Sequence, residues 1–263
     1  MTDDLADAAP IRDAATVILL RDGAAGLEAW LLTRVQQMAF AAGMSVFPGG
    51  RVDAADAELP LLGADVDDVA RRLDCSAELA RALLGCAARE TFEETGVLLT
   101  VPPAQLPAVR ADVEAGRVAF GDLLAGRGLA IDAAALQPWA RWITPPGEAR
   151  RYDARFFVGT VPNGATACNA TSESSEAAWV PIGLALEQAE RGERGLLPPT
   201  LATLAGLRAF GAVDDVLTAA ADRCVEPTRP VLRWSADGAP AVELPDGSLV
   251  PIPRSMFRDV GTR

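Results

Sequence analysis

Residues 89–96, which read Arg-Glu-Thr-Phe-Glu-Glu-Thr-Gly, concentrate three carboxylates on one short stretch of chain. In a helix, which turns about 100° per residue, Glu90, Glu93 and Glu94 fall within an arc of roughly 100°, because positions three and four apart are neighbours. The stretch contains no lysine to neutralise them. Like charges at this spacing cost about 0.2–0.5 kcal/mol per pair, so the pattern predicts a helix whose acidic face binds a cation, most simply a divalent metal ion.

The glycines upstream of this stretch predict a close approach of the backbone to a ligand. Val46 to Gly50 is typical of a short strand that ends in a glycine turn. The carbonyl of Gly50 or Gly49 can complete an oxygen shell with the glutamates, and such hard ligands suit Mg²⁺ or Mn²⁺. Arg89 reaches Glu93 one helical turn on and can orient its carboxylate while the other oxygens bind metal.

Together the two segments resemble the signature of the Nudix hydrolases, G-x5-E-x7-R-E-U-x-E-E-x-G-U, where U is an apolar residue. Thr91 stands at a position that is usually aliphatic, although its methyl group can still pack. By this resemblance, Glu90, Glu93 and Glu94 are metal ligands and Arg89 orients a glutamate. Six residues match the second half in register: Arg89, Glu90, Glu93, Glu94, Gly96 and Val97.

The first half of the signature departs from the family pattern. Counting back from Arg89 places Arg81 where the family has its first glutamate, and Gly50 lies far upstream. The signature is therefore expected to be interrupted by an insertion at about residues 51–77, with Glu78 as the candidate for the displaced glutamate. The insertion does not match the spacing of an EF-hand, so we expect a solvated acidic loop with a short helix. Its aspartates are Asp53, Asp56, Asp65, Asp67 and Asp68.

Relatives with such an insertion include a subgroup that resembles coenzyme A diphosphatases, and this sequence is similar to that subgroup. Those relatives carry L-L-T-x-R-[SA]-x3-R-x3-G-x3-F-P-G-G before the signature. The chain has Leu31-Leu32-Thr33-Arg34 and then Gly43-x3-Phe47-Pro48-Gly49-Gly50, so the end of the pattern matches. Arg34 comes one position early, and Ala39 or Phe40 occupies the region of the second arginine. Looser similarity extends to residues 142–145, 151–157, 179 and 198–200.

The resemblance implies metal-dependent hydrolysis of a diphosphate linkage in a nucleoside diphosphate derivative, with coenzyme A or acyl-coenzyme A as the leading substrate. Three alternatives stay open. A related pyrophosphatase acts on ADP-ribose, a dinucleotide or a nucleoside triphosphate through the same metal chemistry. A non-catalytic domain that senses a ligand or binds a partner is compatible with Arg81 and the altered first half of the signature. The third alternative is a chance match on an unrelated helical protein.

The general base must be a carboxylate, because the sequence contains no histidine. The candidates are Glu94 in the signature and Glu173 and Glu176, which are expected in an accessible loop before Trp179. Both loop glutamates are equally typical of an ordinary surface. The candidate substrate contacts are Arg34, Phe47, Arg51, Arg150 and Arg151. Each of these arginines, taken individually, is also typical of an ordinary protein surface.

The amino-acid composition argues against certain reaction types and certain classes of partner. All 24 basic residues are arginines, so no lysine can form a Schiff base or serve a phosphate-binding loop. The net charge of −12 argues against a nucleic acid or an anionic membrane as partner, since both select clustered basic residues. A small anionic substrate requires only a local site of metal and arginine. The four cysteines are widely separated and are expected to be buried, reduced thiols.

The segment Met1 to Ala9 is acidic and lacks the basic start and apolar core of a secretory signal. No apolar run approaches the length of a membrane span. A soluble cytoplasmic protein is therefore expected, and homodimers are frequent among the relatives.

One α/β domain is expected from a chain of 263 residues, half of them apolar. By resemblance it is an α/β/α sandwich around a mixed sheet, with its core at about residues 12–190. A C-terminal extension of helix and hairpin is expected at about residues 196–263. Local patterns predict a hairpin over 14–33 that turns at Asp22-Gly23, and a helix from the cap Ser76 to Gly96. The remaining predictions are helical structure over 104–137 and strands over 97–101, 139–143 and 152–160, followed by one or two hairpins within 231–252.

Overall fold

The computed structural model describes residues 9–35, 43–146, 148, 150–168, 171, 174–234, 238–243 and 247–251. These residues contain seven α helices: α1 Val66–Leu73, α2 Ala77–Thr95, α3 Pro107–Glu114, α4 Phe120–Arg127, α5 Ile182–Glu190, α6 Pro198–Leu207 and α7 Val213–Ala221. They contain the strands β1 Ile11–Gly23, β2 Gly26–Arg34, β3 Met44–Val46, β4 Gly49–Arg51, β5 Leu61–Leu62, β6 Thr100–Val101, β7 Ala130–Asp132, β8 Gln137–Ile143, β9 Arg151–Thr160, β10 Ser174–Pro181, β11 Gly195–Leu196, β12 Pro227–Thr228, β13 Val231–Trp234, β14 Pro240–Glu243 and β15 Leu249–Pro251. Short 3-10 helices lie at Ala54–Glu58 and Ala133–Ala135.

The largest sheet is mixed and is organised around β1. This strand runs parallel to β9 from Ile11 to Leu20 and antiparallel to β2 and β4. The main path of the sheet is β11-β3-β2-β1-β9-β8-β12, and β10 pairs with β2 outside this path. Two separate three-stranded sheets have the orders β13-β14-β15 and β5-β7-β6.

Helices cover both faces of the large sheet. Successive side chains of a strand point to opposite faces. Val17 and Leu19 of β1 therefore join one buried cluster, with residues of α1 to α4, while Ile18 and Leu20 join another, with residues of α5 to α7. Covering both apolar faces produces three layers. The predicted α/β/α sandwich with a mixed sheet is confirmed.

Helix α2 carries the acidic stretch, and local signals set its ends. Ser76 caps its start, because the Ser76 side chain accepts a hydrogen bond from the Leu79 backbone N–H at 3.1 Å. Gly96 ends it in the left-handed conformation, with φ of 74°. Both predicted ends are confirmed. Thr91 is buried in this helix, and its hydroxyl donates to the Ala87 carbonyl at 2.7 Å, so its polar atom is satisfied.

Several predicted elements differ in detail. The hairpin of β1 and β2 turns at Ala24 and Ala25, because Gly23 already pairs with Gly26. The region 104–137 contains α3 and α4 but also β7, which is drawn into a sheet by pairing with β5 and β6. The strand predicted over 97–101 is limited to β6. Hairpins in the C-terminal region are confirmed by β13, β14 and β15, while the predicted domain limits stay a prediction.

The cysteines are free thiols, but their burial differs from the expectation. Only Cys86 is buried, Cys75 is half-buried, and Cys168 and Cys224 are exposed. The expectation of four buried cysteines was therefore wrong for three of them. Among the described residues, no helix has both the length and the apolar character that a bilayer crossing requires.

Candidate active site

The acidic face of α2 lies against β4, the strand that holds the glycine turn. The Gly49 backbone N–H donates a hydrogen bond to Glu94 Oε2 at 2.9 Å. A Cβ atom on Gly50 would lie 2.5 Å from Glu90 Cδ, so the missing side chain allows this close approach of backbone and helix. Pairing of β4 with residues 14–16 of β1 fixes the turn to the sheet. The fold thus brings the glycine turn to the predicted metal ligands.

Arg89 connects the carboxylates of this face. Its Nη1 donates to Glu90 Oε1 at 2.7 Å and lies 3.6 Å from Glu93 Oε2. Its Nε and Nη2 donate to the two carboxylate oxygens of Asp56 at 2.8 and 2.9 Å. A paired contact of this kind fixes direction as well as distance. Arg89 therefore lies between Asp56 and the carboxylates of Glu90 and Glu93.

Asp56 comes from the inserted segment and is only 2% exposed. It stands six residues after Gly50, which is the interval G-x5-E that the signature gives its first glutamate. The expectation that Glu78 replaces this glutamate is corrected, because Arg89 pairs with Asp56 and Glu78 is exposed in the first turn of α2. The expectation of a solvated acidic loop with a short helix is confirmed by α1 and by the exposed Asp53, Asp65 and Asp67, but it was wrong for Asp56. Counting forward from Gly50 would have found Asp56 in the sequence.

Neighbouring residues hold Asp56 beneath α2. The Asp53 backbone N–H donates to Asp56 Oδ2 at 2.8 Å and closes the start of the 3-10 helix. Arg81 donates to two carbonyl oxygens that follow Asp56, at 3.3 and 3.2 Å. A Cβ atom on Gly85 would lie 2.9 Å from the Asp56 carbonyl carbon, so glycine lets the segment approach the helix. Arg81 and Gly85 thus position the insertion so that Asp56 reaches Arg89.

Burial changes the acidity of the site. It raises the pKa of Glu93 to about 7, although the positive charge of Arg89 opposes this shift. Burial also raises the pKa of Glu90, again against the effect of Arg89. A bound cation favours the charged form of a neighbouring carboxylate and would reverse both shifts. The site is therefore electrostatically suited to exchange protons for a metal ion.

The donor set fits a hard divalent cation, although it is not a closed cage. The three glutamates and the Gly50 carbonyl supply oxygen, the ligand atom preferred by Mg²⁺ and Mn²⁺. Across the described part of the chain, no three Asp, Glu or Cys side chains already converge at metal-binding distance. Glu90 and Glu94 are instead held by Arg89 and by the Gly49 N–H. An ion would have to draw these oxygens together.

A cavity of about 470 Å³ opens beside the three glutamates. Arg151, a predicted substrate contact, is not among its lining residues and donates to the Thr144 carbonyl at 3.2 Å. Apolar side chains, including Trp142, Phe156 and Pro198, form part of its wall. The other four predicted substrate contacts line the cavity: Arg34, Phe47, Arg51 and Arg150.

Comparison with known proteins identifies the family. The family model described as the NUDT19 Nudix domain matches residues 67–207. The chain belongs to the Nudix hydrolase family. Acyl-coenzyme A diphosphatase NUDT19 of Gallus gallus is 30% identical to this Nudix hydrolase over 86% of this chain and 76% of its own length. The Homo sapiens protein of the same name is 27% identical, over 82% and 70%. A NUDIX hydrolase structure from Alicyclobacillus acidocaldarius matches with a TM-score of 0.67 at 30% identity, over 80% of this chain and 96% of that chain.

The glutamates considered as general base in this Nudix hydrolase differ in whether they line the cavity. Glu94 lines the cavity. Glu176 is exposed on β10, opposite Thr33 of β2, and is not a lining residue. Glu173 lies outside the described residues. Glu148, which the sequence analysis missed, also lines the cavity; it follows Pro145-Pro146-Gly147 as an isolated acidic residue, and no sequence pattern distinguishes it.

Proposed function

We propose that this Nudix hydrolase cleaves a diphosphate linkage in a nucleoside diphosphate derivative, with Mg²⁺ or Mn²⁺ as cofactor. The proposed substrate is coenzyme A or an acyl-coenzyme A. The names of the two NUDT19 relatives support this substrate class. The Phe47-Pro48-Gly49-Gly50 segment supports it too, since it matches the end of the coenzyme A subgroup pattern and adjoins the glutamates.

The observation that carries the proposal is the pairing of the buried Asp56 with the partly buried Arg89. Because Asp56 takes two donors of the guanidinium, the remaining Nη1 is directed at Glu90 and Glu93. The Gly49 N–H directs Glu94 in the same site. The three carboxylates come from one helix and line one cavity, which limits the movement needed to draw their oxygens around an ion. A divalent cation bound there would screen the phosphate oxygens and lower the pKa of the attacking water.

The cavity beside the glutamates has the chemistry of a nucleoside diphosphate site. Arg34, Arg51 and Arg150 supply positive charge for phosphate groups inside a protein whose net charge is −12. Phe47 and Trp142 provide apolar surface suited to an adenine ring or to the aliphatic arm of coenzyme A. The combination supports a substrate that joins a diphosphate to bulky, partly apolar groups.

The non-catalytic alternative loses its main support. It depended on the altered first half of the signature and on Arg81 at the position of the first glutamate. Asp56 supplies the carboxylate for Arg89, and Arg81 has the separate task of bracing the insertion. We therefore favour an active enzyme, and other diphosphate substrates become outcomes of the assay.

A substrate panel tests the proposal. Purified protein is incubated with coenzyme A, short- and long-chain acyl-coenzyme A, ADP-ribose, a dinucleoside polyphosphate and a nucleoside triphosphate. Each is assayed with Mg²⁺, with Mn²⁺ and with EDTA, and products are identified by mass. We expect coenzyme A compounds to be split into a 3′-phosphorylated adenosine monophosphate and a phosphopantetheine only when metal is present. Preferred cleavage of ADP-ribose or a triphosphate would refute the substrate assignment.

Two matched variants separate chemistry from folding. Glu93→Gln removes a proposed ligand and is expected to lower turnover to background with an unchanged circular dichroism spectrum. Glu78→Gln makes the same chemical change on the same helix at an exposed position and is expected to be neutral. Full activity of Glu93→Gln would refute the role of the glutamate cluster in catalysis.

A further inference from the structure

Glu148 lies in the loop that joins β8 to β9 and lines the same cavity as Glu90, Glu93 and Glu94. These three are called the box glutamates below. Glu148 is only 8% exposed, although acidic residues in loops between strands are ordinarily solvated. Glu148 thus borders the cavity from the loop after β8, whereas the box glutamates border it from α2.

The surroundings of Glu148 differ from those of the box glutamates. Arg89 holds Glu90 and lies beside Glu93, and the Gly49 N–H holds Glu94. Among the described residues, by contrast, no hydrogen bond or ion pair engages Glu148. Burying a carboxylate without such a partner costs free energy. Because buried polar groups are ordinarily paired, an unpaired one suggests a functional role.

We infer that Glu148 is the general base of the hydrolysis, taking a proton from the attacking water. This inference depends on the proposed function. As the water oxygen forms its bond to one phosphorus, its proton passes to the Glu148 carboxylate. The bond between the bridging oxygen and the same phosphorus breaks, and its electron pair stays on the departing phosphate. Two phosphate monoesters result, and Glu148 later releases the proton to solvent.

The acidity of Glu148 fits this role. Burial raises its pKa to about 7, and the nearby positive charge of Arg151 only partly offsets the shift. A base is most effective when its pKa lies near the working pH. The other charged groups of the cavity are the box glutamates and Glu114 on the acidic side, and Arg34, Arg51 and Arg150 on the basic side.

The two described alternatives from the sequence are weaker candidates. Glu176 is exposed and does not line the cavity. Glu94 belongs to the proposed metal-binding face, and an ion there would make its carboxylate a poor proton acceptor. Glu148 lines the same cavity but belongs to a different element from that face.

The test compares Glu148→Gln with the wild-type protein on the best substrate of the panel. We expect kcat to fall by about 10²- to 10⁴-fold, with little change in KM and in the Mg²⁺ concentration for half-maximal rate. The wild-type kcat should rise with pH through an ionisation near 7, and Glu148→Gln should lack this step. Glu187→Gln, an exposed change on α5, is the control and is expected to match the wild type.

A second variant covers the case in which Glu148→Gln fails to fold. Glu148→Asp keeps the carboxylate, so it should retain the pH step with an intermediate kcat. Three results would overturn the inference: no ionisation near pH 7 in the wild-type profile, unchanged kcat in Glu148→Gln, or a raised Mg²⁺ requirement that makes Glu148 a ligand. If the wild-type protein turns over no compound of the panel, the proposed function itself fails, so the two failures are distinguishable.

Discussion

Replacing Asp56 with asparagine tests the central contact of the site. Asp56 is 2% exposed, and its two oxygens accept Arg89 hydrogen bonds at 2.8 and 2.9 Å. Removing one partner of a buried ion pair costs about 3–5 kcal/mol, because it leaves a desolvated charge without compensation. Glu90 still contacts Arg89, and the amide oxygen still accepts one bond. We therefore expect a loss near the lower limit, about 3 kcal/mol.

Urea unfolding, followed by circular dichroism, measures this loss. With a slope of about 3 kcal/mol per molar urea, the midpoint should fall by about 1 M. The matched control is Asp53→Asn, since Asp53 pairs with Arg51 on the surface and exposed pairs contribute about 1 kcal/mol at most. A second control is Glu78→Gln, which changes the residue that the sequence suggested as the first glutamate of the signature.

Activity gives an independent measurement on the same variants. With Arg89 released from Asp56, Glu90 and Glu93 lose their fixed direction, so kcat should fall in Asp56→Asn even where the protein is fully folded. An unchanged urea midpoint in Asp56→Asn would refute the reasoning. So would equal losses in Asp56→Asn and Asp53→Asn.

Two further predictions concern acidity and packing. Because the pKa of Glu93 is raised to about 7, its protonated form stabilises the metal-free protein at low pH, and this contribution is lost as pH rises through 7. The gain in melting temperature on adding Mg²⁺ should therefore be larger at pH 8 than at pH 5.5, and a pH-independent gain would contradict this. Gly85→Ala should cost about 1–3 kcal/mol and lower kcat, because the new Cβ overlaps the backbone of Asp56. Gly126→Ala in α4, where no atom lies within 4 Å of the added Cβ, should instead be neutral or stabilising in urea unfolding; equal effects of the two changes would refute the packing argument.

The sequence predicted correctly those elements whose structure depends on neighbouring residues. Ser76 and Gly96 mark the ends of α2 because capping depends on the residues at the helix ends. The nearly continuous apolar run over residues 14–20 of β1 likewise indicates a strand buried on both faces. By contrast, β7 is a strand because it pairs with β5 and β6. No pattern within residues 104–137 predicts this pairing.

Some residues of the candidate site can likewise be predicted from local spacing, whereas others cannot. The box glutamates are neighbours on one helix, so spacing alone brings them together. Asp56 was missed because the insertion separates it from Arg89 in sequence, and its relation to Gly50 was the only available signal. Glu148 could not have been found, because its burial and its place in the cavity depend on tertiary packing that no local sequence pattern records.

The origin of Asp56 outside α2 has a consequence for the evolution of such enzymes. The acid that anchors the arginine and the helix that bears the arginine are joined through space, so the chain between them need not keep a constant length. The contacts of Arg81 and Gly85 hold the junction from the helix side. New structure such as α1 can therefore be added between the two halves of the motif while the anchoring acid keeps its place.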